Sequence, residues 1–359
     1  MPRKLEQLQG LINHNQAILL SNLSDIKYFS GFEYLVPSER EALALIGRDF
    51  AYLIHASFSP KPVNHLFTFL PGLSIKLSDH LKEIKQKHGF EEIMIDEESL
   101  FVSELRVLQK SNDWQIKPFS RDVIWELRQV KTNHELEKIT AACAIAKQAY
   151  EEIKVKIKPG ISEKRLSLLL EERMRQLGST RPAFPTIVAF AENTALPHHQ
   201  PSQKELEKEM AILLDFGATV DGYCSDMTRS FWFGSQQPSK YSQIKEAVET
   251  AYQRVLDQLN MIPFHAETKN VVVAQHLDNL ARTHITAAGF GDQFIHTTGH
   301  GVGLDIHEPP SISWKNQQPI VPGMVITVEP GIYLEQEFGY RYENTIYVPF
   351  QEKCLELTK

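Results

Sequence analysis

Two aspartates flank a short turn sequence in the second half of the chain. Asp215 and Asp226 lie on either side of Asp221-Gly222, and apolar runs border the turn on both sides. Asp and Gly tolerate the positive φ angles of tight hairpin turns, so the segment predicts a hairpin. With this loop, Asp215 pairs with Thr228, and side-chain alternation places both aspartates on one face. Carboxylates this close repel each other unless a cation lies between them, which favours a metal site over two solvated surface aspartates.

Three histidines occur further along the chain, interspersed with glycines. His296, His300 and His307 share one short segment, and glycines allow close approach of the backbone to a small site. Imidazole is the nitrogen ligand that borderline divalent metals most often take from proteins. The segment is not an HExxH zinc motif, because Pro309-Pro310 follows His307-Glu308. For any one histidine alone, a hydrogen-bonded structural role is the alternative.

Two glutamates and an arginine complete the set of candidate residues. Glu329 ends an apolar run, where a carboxylate without a partner is costly to bury. Arg341 and Glu343 are two positions apart on a predicted strand and therefore share a face. The alternative is that all three are ordinary partnered charges at strand ends.

Four carboxylates and one imidazole form an oxygen-rich set of candidate ligands: Asp215, Asp226, His300, Glu329 and Glu343. Such a set suits two divalent ions better than it suits a thiolate-rich structural zinc site. Paired ions can polarise a carbonyl and lower the pKa of a water, so hydrolysis is the expected chemistry.

The elements that position these residues follow from length and periodicity. A chain of 359 residues exceeds what one core usually supports, so two domains are expected. In the first third, short apolar runs predict strands at 17–20, 42–46 and 51–54, and amphipathic patterns predict helices at 73–88 and 103–110. This alternation predicts an α/β layer structure.

A break near 117–121 precedes a second, helix-led region. Thr132 and Glu135 form a capping-box signal for one helix, and Ser162 can cap the next. The later elements are predicted as strands at 211–218 and 223–233, helices at 241–259 and 269–288, and strands at 324–329 and 341–348. The order suits two similar halves about one central site, so we predict domains 1–122 and 123–359.

Charge and composition exclude several classes of protein. The chain has 38 Lys and Arg against 45 Asp and Glu, a formal charge of -7, so no nucleic-acid partner is expected. Polar residues interrupt positions 1–20, and we expect neither an export signal nor a membrane span. Cys143, Cys224 and Cys354 are far apart and odd in number, which indicates reduced thiols and a cytoplasmic protein.

The motif blocks at 215–229, 296–307, 323–331 and 339–343 resemble, in order and spacing, those of the pita-bread metallopeptidases. Within that group the chain is similar to the Xaa-Pro aminopeptidase and Xaa-Pro dipeptidase (prolidase) branch. Residues 25–32 and 127–139 resemble its amino-terminal domain and the junction after it. The resemblance implies an α/β (α+β) fold, with a creatinase-like amino-terminal α/β domain and a pseudo-two-fold pita-bread catalytic domain.

The resemblance also implies roles for individual residues. The metal ligands of the family correspond to the five candidates named above, and two divalent ions are implied, with Mn²⁺ expected and Co²⁺ or Zn²⁺ as alternatives. Glu329 matches the general base, and His307 matches the histidine that hydrogen-bonds the substrate and the oxyanion. His198 matches a substrate-binding histidine, and His296 and Arg341 are further substrate-binding candidates. The next residue, His199, departs from the glycine of many relatives.

The implied activity is hydrolysis of the amino-terminal Xaa-Pro bond of short peptides by a homodimer. A dipeptidase benefits from a cation that clamps the substrate carboxylate, and many prolidases carry an arginine shortly after the position of Glu308. Here Pro309-Pro310-Ser311 follows, which favours an aminopeptidase over a dipeptidase, unless Arg181, His198 or His199 supplies the clamp. A creatinase and a catalytically silent protein-binding module are the alternatives from other classes, and the complete ligand set argues against both.

Overall fold

The computed structural model describes residues 2–33, 39–59, 65–111, 113–261 and 271–359. The chain divides into two compact units, Met1–Leu127 and Arg128–Lys359. The sequence placed the boundary between residues 122 and 123, near the start of the helix Asp122–Gln129, whereas the division lies inside that helix. None of the described helices is long and apolar enough to cross a membrane.

The first unit is a mixed sheet with helices. Its described elements before the boundary helix are α1 (Pro2–Gly10), β1 (Gln16–Leu20), α2 (Leu23–Ser30), β2 (Ala42–Gly47), β3 (Ala51–His55), β4 (Thr68–Pro71), α3 (Leu73–His88), β5 (Glu92–Ile95), α4 (Val102–Gln109) and β6 (Gln115–Pro118). Among the described residues the strands form one six-stranded sheet in the order β4-β3-β2-β1-β5-β6. The strands and helices predicted for this region are confirmed to within one or two residues at their ends.

The core of this unit explains why its central strands are apolar throughout. β2 and β3 are buried at every position, so they show no alternation between polar and apolar residues. On α3, Leu77, Leu81 and Ile84 recur at helical spacing and pack in the same cluster as Leu45 and Ile54 of the sheet.

The second unit begins at the end of α5 (Asp122–Gln129) and contains two groups of elements. The first group is α6 (Asn133–Ile153), α7 (Glu163–Gln176), β7 (Ile187–Phe190), β8 (Met210–Phe216), β9 (Thr219–Val220), β10 (Tyr223–Cys224) and β11 (Met227–Phe233). The second group is α8 (Ser239–Leu259), α9 (Ala274–Ala287), β12 (Gly299–Gly301), β13 (Glu308–Ile312), β14 (Val325–Val328), β15 (Gly331–Leu334), β16 (Phe338–Arg341), β17 (Asn344–Tyr347) and β18 (Leu355–Glu356). Positions 269–270 of the helix predicted at 269–288 lie outside the described residues.

Each group packs a pair of helices against an antiparallel sheet. Among the described residues, β11-β8-β7 form a three-stranded sheet whose core includes Leu170 of α7 and Leu214 of β8. The second sheet has the order β13-β12-β14-β17-β18, and its core includes Val248 of α8, Leu277 of α9 and Ile326 of β14. The predicted order of helices and strands is therefore confirmed.

Two of the predicted strands are interrupted. The strand predicted at 223–233 is broken between β10 and β11, and that predicted at 341–348 is broken between β16 and β17. Asp226 and Glu343 lie at these two breaks. Their backbone N–H groups leave the regular ladder and bond instead to the Thr345 hydroxyl oxygen at 3.2 Å and the Thr228 carbonyl oxygen at 3.3 Å.

Candidate metal centre

The hairpin predicted around Asp221-Gly222 is present, and its register is the predicted one. Asp221 and Gly222 have φ angles of 50° and 89°, as a tight turn of this kind requires. β8 pairs with β11 so that Asp215 is opposite Thr228. Asp215 therefore lies near the end of β8, directly across from the strand that follows Asp226.

His300 and Glu329 are brought together by the neighbouring strands β12 and β14. Gly301 pairs with Ile326, and the N–H of Glu329 donates to the Thr298 carbonyl oxygen at 2.8 Å. Gly299 makes this approach possible, because a Cβ there would overlap the carbonyl oxygen of Thr327. The two candidate ligands consequently lie on adjacent strands and face the same space.

Four of the candidate ligands meet around the His300 ring. Single ligand atoms of Asp226, His300 and Glu343 lie within 4.8 Å of one another. The Nε2 atom of His300 is 3.2 Å from Oε1 of Glu329 and 3.6 Å from Oδ2 of Asp226. The sequence elements that supply these residues are far apart in the chain, so the fold has assembled the cluster.

Asp215 joins the cluster through Arg341 and Thr228. The Nη2 atom of Arg341 donates to Oδ2 of Asp215 at 2.5 Å, and its Nε donates to the Thr228 hydroxyl oxygen at 3.0 Å. Thr228 in turn donates to Oε2 of Glu343 at 2.6 Å. The arginine and the threonine therefore hold two of the candidate ligands, Asp215 and Glu343, in fixed orientations.

The electrostatics of the cluster fit a bound cation. Burial raises the pKa of Asp226 well above its usual range, and the carboxylates of Glu343, Asp215 and Glu329 raise it further. Burial also raises the pKa of Glu343, again with added repulsion from Glu329 and Asp215. A divalent cation offsets both the desolvation and the repulsion, so the ionised carboxylates become favourable.

Two individual groups, one on Asp215 and one on His300, also fit a cation. Oδ1 of Asp215 is buried and has no hydrogen-bond partner among the described residues. His300 donates from Nδ1 to the Gly301 carbonyl oxygen at 3.0 Å, which leaves the lone pair of Nε2 directed at carboxylate oxygens in the neutral imidazole. An acceptor facing acceptors is unfavourable unless a metal ion or a second ring proton lies between them, and an Nδ1–H bonded to a backbone carbonyl is typical of metal-bound histidines.

The cluster lies in the wall of a cavity of about 760 Å³. All five candidate ligands line it, and so do the predicted substrate-binding residues His198, His296, His307 and Arg341. The centres of the His307 and His300 rings are 4.4 Å apart. Burial lowers the pKa of His307, and the nearby His300 and His198 lower it further.

His296 and Arg341 are both bonded to Tyr333, a residue that the sequence did not single out. Nε2 of His296 is 2.9 Å from the Tyr333 hydroxyl oxygen, and Nη1 of Arg341 donates to the same atom at 2.6 Å. Nδ1 of His296 donates to the Thr297 carbonyl oxygen at 2.7 Å. Tyr333 belongs to a fully buried strand, and no local pattern distinguishes it from a core tyrosine. A direct contact of His296 or Arg341 with substrate stays a prediction.

Residues 137–349 match the model of metallopeptidase family M24. The chain belongs to metallopeptidase family M24. The matched range contains every candidate ligand and substrate-binding residue named above. This M24 peptidase is therefore a metallo-exopeptidase with the pita-bread fold, and divalent metal ions are part of its family chemistry.

Relatives of the M24 peptidase extend over almost its whole length. It is 32% identical over 355 residues to the Xaa-Pro dipeptidase of Pyrococcus furiosus, covering 97% of this chain and 95% of the relative. Among solved structures, the Xaa-Pro dipeptidase from Bacillus anthracis has a TM-score of 0.88 at 30% identity, covering 100% of this chain and 97% of the other. The X-Pro aminopeptidase from Thermotoga maritima has a TM-score of 0.85 at 32% identity, with the same coverage.

Proposed function

We propose that this M24 peptidase hydrolyses the amino-terminal peptide bond of substrates with proline in the second position, and that Xaa-Pro dipeptides are its first substrate class. The observation that carries the proposal is the convergence of Asp226, His300 and Glu343, whose ligand atoms lie within 4.8 Å of one another in the cavity wall. The Pyrococcus and Bacillus relatives are Xaa-Pro dipeptidases and the Thermotoga relative is an X-Pro aminopeptidase, which supports the choice of an Xaa-Pro bond.

The proposed cofactor is a pair of divalent ions, Mn²⁺ first, with Co²⁺ or Zn²⁺ as alternatives. The residues proposed to hold them are Asp215, Asp226, His300, Glu329 and Glu343. Oxygen-rich sites with one imidazole suit ions of this kind. When bound, such ions polarise the scissile carbonyl and make a water acidic enough to react at neutral pH.

The protein residues around the ligands are proposed to handle the proton and the substrate. Glu329 is the general base, whose carboxylate takes a proton from the attacking water and passes it to the departing proline nitrogen. The Thr327 hydroxyl donates to Oε1 of Glu329 at 3.2 Å and so fixes the orientation of this carboxylate. His307 and His198, on the cavity wall, are proposed to donate hydrogen bonds to the substrate, with His307 at the developing oxyanion.

A second candidate, an aminopeptidase that acts on longer peptides, is favoured by the charges of the cavity. Among the described residues that line it, Arg341 is the only arginine or lysine, and it is committed to Asp215. Arg181 lies outside this lining and donates to the Pro182 carbonyl oxygen at 3.3 Å. His199 also lines the cavity but donates to Glu163 at 2.8 Å. Among the described residues, His198 is therefore the expected clamp residue that lines the cavity and is not committed to another side chain.

The test compares proline release from Ala-Pro with alanine release from Ala-Pro-Ala, using metal-stripped enzyme with and without Mn²⁺. Ala-Ala is the control for the proline requirement. Asp226→Asn should abolish both activities, whereas Asp257→Asn, at an exposed position of α8, should retain them.

Each outcome of this comparison is decisive. Metal-dependent cleavage of Ala-Pro alone assigns the dipeptidase, and cleavage of Ala-Pro-Ala assigns the aminopeptidase. If neither peptide is cleaved by folded, metal-loaded protein, or if Ala-Ala is cleaved equally well, the Xaa-Pro assignment is wrong.

Two further expectations accompany the proposed function. We propose that the enzyme is a homodimer, as the family resemblance implies, and light scattering on a sizing column measures this directly. We also propose a cytoplasmic location, which rests on the odd number and wide spacing of the three cysteines.

A further inference from the structure

A buried carboxylate outside the metal cluster accepts hydrogen bonds from both ends of the connection between β7 and β8. The side chain of Glu163, at the start of α7, is 0% exposed. Its Oε1 accepts from the Phe190 N–H at 2.7 Å and from the Asn193 amide at 2.8 Å. Its Oε2 accepts from His199 Nε2 at 2.8 Å, and from the N–H and hydroxyl of Ser202 at 2.9 Å and 2.6 Å.

Glu163 is held in its ionised form by these donors. Burial raises the pKa of the carboxyl group, but the hydrogen bonds from Ser202, Asn193 and His199 outweigh burial and lower it below its usual value. A buried, ionised carboxylate with this many donors is costly unless each donor stays in place. The network therefore constrains every segment that contributes to it.

The segment constrained in this way contains His198. Residues 190–202, here termed the His198 loop, connect the end of β7 to the segment that leads into β8. Phe190 and Asn193 bond to Glu163 near the start of the loop, and His199 and Ser202 near its end. One side chain thus closes the loop, and His198 is the exposed residue between the two attachments that faces the metal cavity.

The backbone next to the metal cluster contacts the other side of this loop. The Gly339 N–H donates to the Thr194 hydroxyl oxygen at 2.8 Å. Nη1 of Arg341 lies 3.5 Å from the Pro197 carbonyl oxygen, which it approaches as a donor, and the same arginine binds Asp215. The loop is therefore held between Glu163 and the strand that carries Arg341.

We propose that Glu163 and His199 are positioning residues, which hold the His198 loop so that His198 reaches substrate in the metal cavity. The proposal rests on the proposed function, because it assigns them an effect on Xaa-Pro hydrolysis through His198. It also assigns a role to His199, whose side chain is mostly buried. The imidazole of His199 is one of the donors to the buried Glu163 carboxylate.

The first test uses two variants at position 199 and one control variant, with Ala-Pro as substrate and Mn²⁺ as the metal. His199→Ala removes the donor to Glu163 and should lower kcat/KM about tenfold or more, since small misplacements of a binding group are costly. His199→Gln places an amide N–H close to the position of Nε2 and should restore most of the activity. His134→Ala, at an exposed position on α6, is the matched control and should match the wild type.

A double-mutant cycle separates positioning from a general loss of structure. If His199 acts through His198, then His199→Ala lowers kcat/KM in the wild type but has little further effect in the His198→Ala background. Equal loss in both backgrounds overturns the proposal. In Glu163→Gln the amide oxygen can still accept from Phe190 and Asn193, but the amide nitrogen cannot accept from His199 and Ser202. This variant should therefore lower kcat/KM as His199→Ala does.

Hydrogen exchange of the His198 loop provides a readout that does not depend on activity. The Ser202 N–H bonds to Glu163, so peptides covering 196–204 should exchange faster in Glu163→Gln and His199→Ala. Unchanged exchange in folded variants overturns the proposal. If exchange accelerates but the wild type hydrolyses no Xaa-Pro peptide, the loop attachment stands and the proposed function fails.

Discussion

At the scale of single residues, Arg341 bonds to several of the side chains that form the candidate metal site. It was predicted as a substrate-binding residue, but it donates to Asp215, Tyr333 and Thr228 and is almost fully buried. Of these partners, Asp215 is a candidate metal ligand, and Thr228 donates to another candidate ligand, Glu343. The planar guanidinium satisfies several acceptors at fixed angles, which a lysine cannot do. The observed bonds therefore favour a role in orienting ligands.

We accordingly expect Arg341→Lys to weaken metal binding. The ammonium group can retain a charge near Asp215 but not the simultaneous bonds to Tyr333 and Thr228, so Mn²⁺ affinity should fall about 10- to 100-fold. Calorimetric titration of the metal-stripped protein measures this, with Arg254→Lys, exposed on α8, as the control. Unchanged affinity together with a raised KM would instead support direct substrate binding by Arg341.

At the scale of elements, the site shows which features can be read from a sequence. The pairing of Asp215 with Thr228 follows from a turn of two residues, so it was predictable from local chemistry. The breaks at Asp226 and Glu343 were not predicted, because both residues lie in otherwise strand-like runs. Their backbone partners, Thr345 and Thr228, come from other strands, and only the assembled sheets reveal them.

The junction after α5 contains a second feature that local patterns do not reveal. Glu308, next to His307, is buried and is bonded to Arg128 and to Lys131, the latter at 2.9 Å. Burial raises the pKa of Glu308, but the positive charges of Lys131 and Arg128 outweigh burial and lower it to about 2. Arg128 and Lys131, at the start of the second unit, are thereby both bonded to Glu308.

The network predicts a defined pH dependence of stability. Because the pKa of Glu308 is about 2 in the folded protein and near 4.5 ordinarily, its contribution is complete above pH 4.5 and lost as the pH falls towards 2. This contribution is about 3 kcal/mol by the usual conversion of pKa shifts. Glu308→Gln should thus lower the free energy of unfolding at neutral pH, with a difference from wild type that shrinks below pH 4.5.

Denaturant unfolding of metal-free protein at a series of pH values measures the difference. Other carboxyl groups, including the metal cluster, titrate alike in both proteins and cancel. Glu137→Gln, at an exposed position on α6, should leave the curve close to that of the wild type. A difference between Glu308→Gln and wild type that stays constant down to pH 2 would contradict the ion-pair account.

At the scale of the whole molecule, every candidate ligand belongs to the second unit, Arg128–Lys359. The ligands come from both of its groups of elements: Asp215 and Asp226 from the first, and His300, Glu329 and Glu343 from the second. The sequence predicted this arrangement of two halves about one site from the order of its elements. It could not predict Tyr333 or the Glu163 network, since buried polar contacts depend on the packed structure.

A site that joins both groups couples metal binding to the stability of the second unit. The ligand atoms of Asp226, His300 and Glu343 converge in the folded unit, so metal at about 100 times its dissociation constant should add about 2.7 kcal/mol to the free energy of unfolding. Amides of β8, β11 and β14 that exchange only by opening of this unit should then exchange about 100-fold more slowly when Mn²⁺ is added to stripped protein. Asp226→Asn should remove this slowing at the same Mn²⁺ concentration, because the cluster loses a charged ligand. If β8 slows but β14 does not, the ion binds one half alone, and the assembly of a single site from both halves is wrong.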